Sequence, residues 1–574
     1  MRLHLIHCDK YLNLHKAKGV ENDITRQAAA TKQTQLTIPR LSSATKDLLD
    51  MEFAEACYVS GAPFTIFQDD AMMRAFRILN PAYKPPTRKA LAGPLLDKVY
   101  CSLKEKVDKA VDVTKLLNIV TDESSNISKS RIANISIHTT SGVFHWRSED
   151  IEARRMTSVN IADWIKHHIT KLCNSQFDRV NSIASDTCNA MVKAWEILEQ
   201  VVEFRHCFFI PCDSHGLQLV IKDMLEIPEL KEVHDVIQSI AKAFKNAPLQ
   251  YARLRECQLA KYNRKQALCL SVITRWGTQF RLVSSVYKNK EALRMYSYQY
   301  AVAGQSSDIA KDLVDKIVSP AFWTTVEMFK ELLEPIDEAI RMSESDKAHL
   351  GHVLPRWAEI MSHLKRNVTS FPGLHEYLES NGGFTARYHR QVKPIHLIAM
   401  YLNPKHWELP MGADTEHQIY EFIDKYTNTD DEATAARCEF LSFRSQLSPF
   451  EPTRYCWKHS TDPRMFWIMQ SQHAKVIGAL AVRLYSTPSN SVPSERAFSV
   501  MNFIHRKGRN SLGSEKVDKL TYTYINTRLF RRAEGAKLTT DLSEISEQEE
   551  VELEDMLMQE EGISDIDDSE DDES

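Results

Sequence analysis

Apolar residues recur at helical spacing from about residue 46 to 110 (Phe53, Cys57; Met72, Phe76, Leu79; Leu95, Val99, Leu103). Pro63, Pro81, Pro85 and Pro86 break the run, which predicts a small helical region. The period then changes. Residues 116–122 (LLNIVTD) are a short apolar run, 131–138 alternate Ala133, Ile135 and Ile137 with Asn134, Ser136 and His138, and 142–146 (GVFHW) follow a turn. These are three expected strands, the second and third a hairpin. A helix is expected over 158–173, a strand over 179–186, a helix whose buried face is Met191, Trp195, Leu198 and Val202, and a fifth strand over 206–212. That order is an α/β arrangement with a mixed sheet.

From about 215 to 450 the pattern is almost wholly helical, with breaks at 246–250, 381–384 and 403–410. A helix over 465–486 precedes the proline-flanked TPSNSVPSERAF (487–498), with more helix beyond. The expected organisation is a flexible arm (1–45), a helical N-terminal region (46–112), the first part of a sheet domain (113–215), an all-helical insertion (216–460), the C-terminal part of the sheet domain (461–533) and an acidic tail (534–574). The tail carries few apolar residues among many acids and is expected to be disordered.

Three acids stand out in this frame. Asp122 and Asp186 each follow an apolar strand, at the sheet edge where open α/β folds build sites. Glu495 follows Pro493 and Ser494, with Ser494 expected to cap a helix and the carboxylate in its first turn. Converging carboxylates can hold divalent cations that clamp a phosphodiester. Taken singly, each is an ordinary turn or cap residue.

Composition sharpens the class. In 574 residues only 17 are Gly, under the usual ~7%, which suits a helix-rich chain. The formal charge of -5 averages two unlike parts: 541–574 holds 17 Asp or Glu and no Lys or Arg, leaving 72 basic against 60 acidic residues before it. A body at +12 suits a polyanionic partner. The 11 cysteines are scattered from Cys8 to Cys456, as expected for reduced thiols. No apolar run nears the roughly 18 residues of a membrane helix, and the opening Met1-Arg2-Leu3-His4 starts no secretory signal. An intracellular protein without a membrane partner is expected.

The segments at 120–142, 183–191, 212–223, 273–279 and 401–409, followed by LAVRLYSTPSNSVPSERAFSVMNFIHRKGRN and its continuation to 526, together resemble the hAT superfamily of cut-and-paste DNA transposases. The similarity runs from about 50 to 530, and the last block is its most specific part. The resemblance implies a ribonuclease-H-like catalytic fold, a mixed sheet flanked by helices and interrupted by the all-helical insertion. It places Asp122, Asp186 and Glu495 on the family's three catalytic acids, which bind Mg²⁺ or Mn²⁺. It places Cys212 and His215 on a Cys-x-x-His element that, with Arg275 and Trp276, positions DNA, the Trp stacking on a displaced base. Such stacking contributes about 1–3 kcal/mol. Arg496, Arg506, Lys507 and Arg509, with Arg528, Arg531 and Arg532 downstream, are implied contacts to DNA phosphates.

The chain also departs from the family pattern. Glu123 and Ser124 stand where relatives commonly carry Trp shortly after the first acid, and the second motif reads SDTCNA. Glu123 is expected to point away from Asp122 on the strand. His4 and Cys8 resemble the last half of a BED-type zinc finger; two ligands cannot close a tetrahedral site, so Zn²⁺ is expected only if an upstream half exists. The function implied is metal-dependent DNA cleavage and strand transfer at transposon ends, on double-stranded DNA, in the nucleus. A homodimer or higher oligomer is implied through the C-terminal region, where the apolar stripes LAVRLY (480–485) and KLTYTYI (519–525) are expected to form the seam. The alternative is a domesticated, catalytically inactive derivative acting as a nuclear dimeric DNA-binding protein.

Overall fold

The computed structural model describes residues 41–125, 130–151, 155–271, 277–302, 309–345, 347–451, 462–505 and 512–535. The expected arm and acidic tail lie almost wholly outside them. The chain divides into two compact units between Val99 and Tyr100.

The first unit contains helices α1 (Ser43–Val59), α2 (Asp70–Leu79) and α3 (Arg88–Leu91), and the start of α4 (Pro94–Asp112). Side-chain oxygens start the first two: Ser42 accepts from the Thr45 amide at 3.0 Å, and Asp69 from Ala71 and Met72 at 2.8 and 3.2 Å. Phe53, Phe67, Phe76 and Tyr83 form its edge-to-face core. Leu79, expected on the buried face, is 80% exposed because α2 ends there and the core is filled by the aromatic rings.

In the second unit one five-stranded mixed sheet runs in the order β3-β2-β1-β4-β5. Its strands are β1 (Leu117–Ser125), β2 (Arg131–Thr139), β3 (Gly142–Asp150), β4 (Val180–Ser185) and β5 (Phe208–Pro211). The first three are antiparallel, while β4 and β5 run parallel to β1. Between β3 and β5 lie α5 (Ser158–Leu172) and α6 (Asn189–Gln200). They pack with the rest of α4 on one sheet face through Leu103, Val107, Ile165 and Trp195. Val202 lies beyond the end of α6 in a short 3₁₀ turn and is 71% exposed, contrary to its expected place on the buried face.

Helices α7 (Asp213–Met224), α8 (Pro228–Lys245), α9 (Pro248–Tyr262), α10 (Thr278–Lys288), α11 (Lys290–Tyr296), α12 (Lys311–Val318), α13 (Pro320–Glu344), α14 (Val353–Arg366), α15 (Gly373–Glu379) and α16 (Phe384–Gln391) share a second core around Phe244, Trp323, Phe329 and Trp357. Then α17 (Pro394–Tyr401), α18 (Ala413–Lys425), α19 (Asp430–Arg444), α20 (Pro463–Gln470) and α21 (Lys475–Tyr485) cover the other sheet face, where Val120, Ala184, Phe208 and Ile210 meet them. The chain closes with α22 (Val492–Ile504) and α23 (Ser514–Ala533).

Several expectations are corrected by packing. The helix expected over 465–486 is two, α20 and α21. The Glu439 carboxylate accepts from the amides of Lys475, Val476 and Ile477 at 3.0, 3.0 and 2.8 Å and so starts a new helix there. Both stripes expected to face a second copy are used internally: Leu480, Ala481 and Leu484 sit in the core over the sheet, and Leu520, Tyr522 and Tyr524 are buried, with Tyr522 against Tyr100 at 4.9 Å. β2 does not expose its polar residues either; Asn134 is 0% exposed. Finally, β3 is an edge strand whose free backbone groups are taken by α23. Asn526 accepts from the His145 amide at 3.0 Å and donates to its carbonyl at 2.8 Å, and Asp518 accepts from the Ser148 amide at 2.7 Å.

Candidate active site

Two neighbouring parallel strands carry the first two acids to one edge. Val120 pairs with Ala184, and Asp122 and Asp186 each lie two residues further on. Asp122 does not end its strand, as expected, but faces Asn134 while β1 and β2 continue to Ser125 and Arg131. The extension is made of polar residues that show no apolar period. Since β4 stops at Ser185, the β4 side of β1 is open beyond Val120.

The third acid arrives from 373 positions after Asp122 through buried polar anchors. Asn118 donates to the Ser486 carbonyl at 2.9 Å, Asn181 to the Thr487 hydroxyl at 2.9 Å, and Asn134 to the Ser494 carbonyl at 2.9 Å. Buried amides bonded to backbone fix position, because an unmade partner would cost about 1–3 kcal/mol. Pro493 sits at the start of α22 and Glu495 in its first turn. The cap position is Ser491, so Ser494 lies inside the helix rather than capping it.

The electrostatics bind these carboxylates into one site. Burial and then Asp186 push the Asp122 carboxyl up to about 8. Burial, then Glu344, then Asp122 push Glu495 to about 8, with Arg496 opposing. Each shift records anionic charge held close in a poorly solvated place. Glu344, the last residue of α13, is the acid that sequence reasoning missed. Nothing in RMSESDKAHL marks it; only tertiary packing brings it here, with Asn490 donating to the Ser343 carbonyl at 2.6 Å and Arg496 to the Glu344 carbonyl at 3.5 Å. Glu123 is turned outward and paired with Arg131, whose Nε donates at 2.6 Å.

Other expected residues fall variously. Cys212 is 0% exposed and offers no surface to DNA, correcting its assignment as a DNA contact. Its sulfur accepts from the amides of Ser491 at 3.2 Å and His215 at 3.4 Å, joining the start of α7 to the segment that delivers Glu495. His215 is half-buried near Asp186; burial lowers its pKa and Asp186 opposes. Arg496 is exposed at the edge. Arg528 is buried over the Tyr524 ring at 4.7 Å, which removes it from the phosphate contacts expected. His4, Cys8, Arg275, Trp276, Arg506, Lys507 and Arg509 lie outside the described residues.

The donors are hard oxygens of the kind that suits Mg²⁺, and the raised affinity of Asp122 and Glu495 for protons reflects the excess negative charge that a cation would neutralise. In donor chemistry they fit. Among the described residues no group of three or more His, Cys, Asp or Glu side chains is drawn together closely enough to hold a metal ion, so the fit is one of chemistry and common location.

Three segments match known families: 86–240 the domain of unknown function DUF659, 210–319 the ZBED1 RNase-like helical domain, and 446–526 the hAT family C-terminal dimerisation region. Over 360 residues the chain is 19% identical to human zinc finger BED domain-containing protein 4, covering 56% of this chain and 29% of that protein. The chain thus spans under a third of that relative's length. The dimerisation-region match supports homo-oligomerisation and encloses Glu495 with its anchoring segment. With the first of these matches holding Asp122 and Asp186 and the last holding Glu495, the comparisons support an hAT-family transposase-like protein.

Proposed function

We propose that the protein is a DNA transposase that cleaves element ends and joins them to target DNA, in the nucleus, with a ribonuclease-H-like sheet as its catalytic frame. The observation that carries this reading is the meeting of Asp122 on β1 and Asp186 just past the end of the adjacent parallel strand β4 with Glu495 on α22, each acid within electrostatic reach of another. Asp122, Asp186 and Glu495 would hold Mg²⁺ or Mn²⁺, which supplies Lewis-acid charge at a phosphodiester. The chain's own residues set the stage. The two strands fix two carboxylates, and the Asn134 and Asn490 anchors hold the first turn of α22 so that Glu495 faces the edge. Hydrolysis at an element end frees a 3′-OH, and that hydroxyl then attacks target DNA.

Replacing Glu495 by Gln is expected to abolish Mg²⁺-dependent nicking of a terminal-repeat substrate while leaving sedimentation behaviour unchanged. Unchanged nicking would sink the assignment. If neither the parent nor Glu495→Gln nicks while both bind DNA, the domesticated, non-cutting reading replaces it.

A further inference from the structure

The helical insertion carries its charge unevenly. Between Lys242 and Lys265 there are seven Lys or Arg and one acid, Glu256. That is a net +6 in 24 residues, half of the +12 carried by the chain before its tail. Lys242, Arg255, Lys261, Arg264 and Lys265 are exposed.

The fold brings three of the seven cations, Lys245, Arg255 and Lys265, around one cleft. Helix α8 ends at Lys245 and α9 starts at Pro248, so the two helices lie side by side. Asn263, at φ 55°, ends α9 in the left-handed conformation and turns the chain back. Tyr251, Arg255 and Leu259 recur at four-residue spacing on one face of α9 and line an open cleft of about 620 Å³, with Lys245 from α8 and Lys265 from the returning segment. The opposite face, Leu254 and Cys257, enters the insertion core. Arg255 lies over the Tyr251 ring at 4.6 Å, which holds its guanidinium group along this face, while Arg253, two residues earlier and so turned away from it, lies over Tyr300 at 4.8 Å. The single acid, Glu256, also lines the cleft, where it accepts from the Tyr300 hydroxyl at 3.3 Å.

An ordinary solvated helix face mixes signs at four-residue spacing, as α13 does with Lys330–Glu334 at 2.9 Å and Arg341–Asp337 at 3.1 Å. A face with three cations to one acid carries excess charge of one sign, and a polyanion relieves that repulsion while releasing its own counterions. We propose that the α8–α9 face binds the phosphate backbone of double-stranded DNA without reading its sequence. The choice of DNA as the polyanion rests on the proposed function; the contact itself needs no cleavage.

The test uses the full chain carrying Glu495→Gln, so that nicking plays no part, with and without the four substitutions Lys242→Ala, Arg255→Ala, Lys261→Ala and Lys265→Ala. All four positions are exposed. Binding to duplexes of unrelated sequence is measured by fluorescence anisotropy across a salt series, and circular-dichroism melting confirms that the variant is folded. The expected result is an affinity loss of about tenfold or more near 0.1 M salt. The slope of log affinity against log salt should become shallower by about 3–4, since each neutralised phosphate contributes roughly 0.9. An unchanged slope overturns the proposal, as does a loss confined to duplex RNA. So does a change seen only after residues 541–574 are removed, which would make the tail the occupant. Because the slope is read in a chain that cannot cut, failure of the cleavage reading leaves it standing.

Discussion

Cys212 shows how a residue's chemistry depends on what surrounds it. Its position in a Cys-x-x-His element suggests a contact with DNA, yet burial pushes its thiol up to about 12, and its sulfur serves two backbone amides. Cys212→Val should therefore act on stability: two buried N–H groups lose their acceptor, at about 1–3 kcal/mol each. A lowered urea midpoint with DNA affinity retained is the expected result; an unchanged midpoint refutes the structural role. Asp122, Asp186 and Glu495 stood out in the sequence because apolar runs lead into the first two and a proline-led helix start precedes the third. Glu344 did not, because its role comes from α13 meeting the segment before α22, and no local pattern encodes a meeting between residues some 150 positions apart.

At the scale of elements, the sheet was readable and its covering was not. The five strands follow from apolar runs and alternation, but Asn118, Asn134 and Asn181 look like exposed positions until the segment carrying Glu495 is seen bonded to them. Helix α23 has a comparable structural role, because Asn526 pairs both backbone groups of His145 on the edge strand. Asn526→Leu keeps the volume and removes both bonds, so it is expected to destabilise the protein by about 1–3 kcal/mol and to increase hydrogen exchange along β3. Protection equal to that of the parent would show that α23 is dispensable to the edge. The stripes that suggested a dimer seam are likewise consumed by this packing, although the match to the dimerisation region supports homo-oligomerisation.

For the whole molecule, buried histidines set the response to acid. Burial, then His352, His406, Arg356 and Lys405, push His349 down to about 3. Burial, then Arg356, His406 and Lys405, push His352 to about 4, and the two rings stack at 3.6 Å. Burial and Lys393 hold His396 near 3. In the unfolded chain such rings titrate near about 6.5. Their folded pKa values are depressed, so between about 6.5 and 4 the unfolded state binds protons that the folded state refuses. Stability contributed by neutral rings is full above that window and is lost as pH falls through it. The melting temperature is expected to drop between pH 7 and pH 4.5, and to drop less steeply in a His349→Gln, His352→Gln double variant. Parallel pH profiles for the two proteins would rule these histidines out.

The sequence by itself determined the strand and helix order, the basic body with its acidic tail, and, through ordered motifs, the family resemblance that singles out three acids. Those features are local, or repeat along the chain with the period of one element. Only the tertiary structure decided that Asp122 runs on within its strand, that Cys212 is an internal acceptor, that Glu344 joins the acids, that the apolar C-terminal stripes face inward and that Lys245, Arg255 and Lys265 line one cleft. Each of these depends on which surfaces cover one another, and burial and charge proximity are properties of the packed chain that no single stretch of sequence contains.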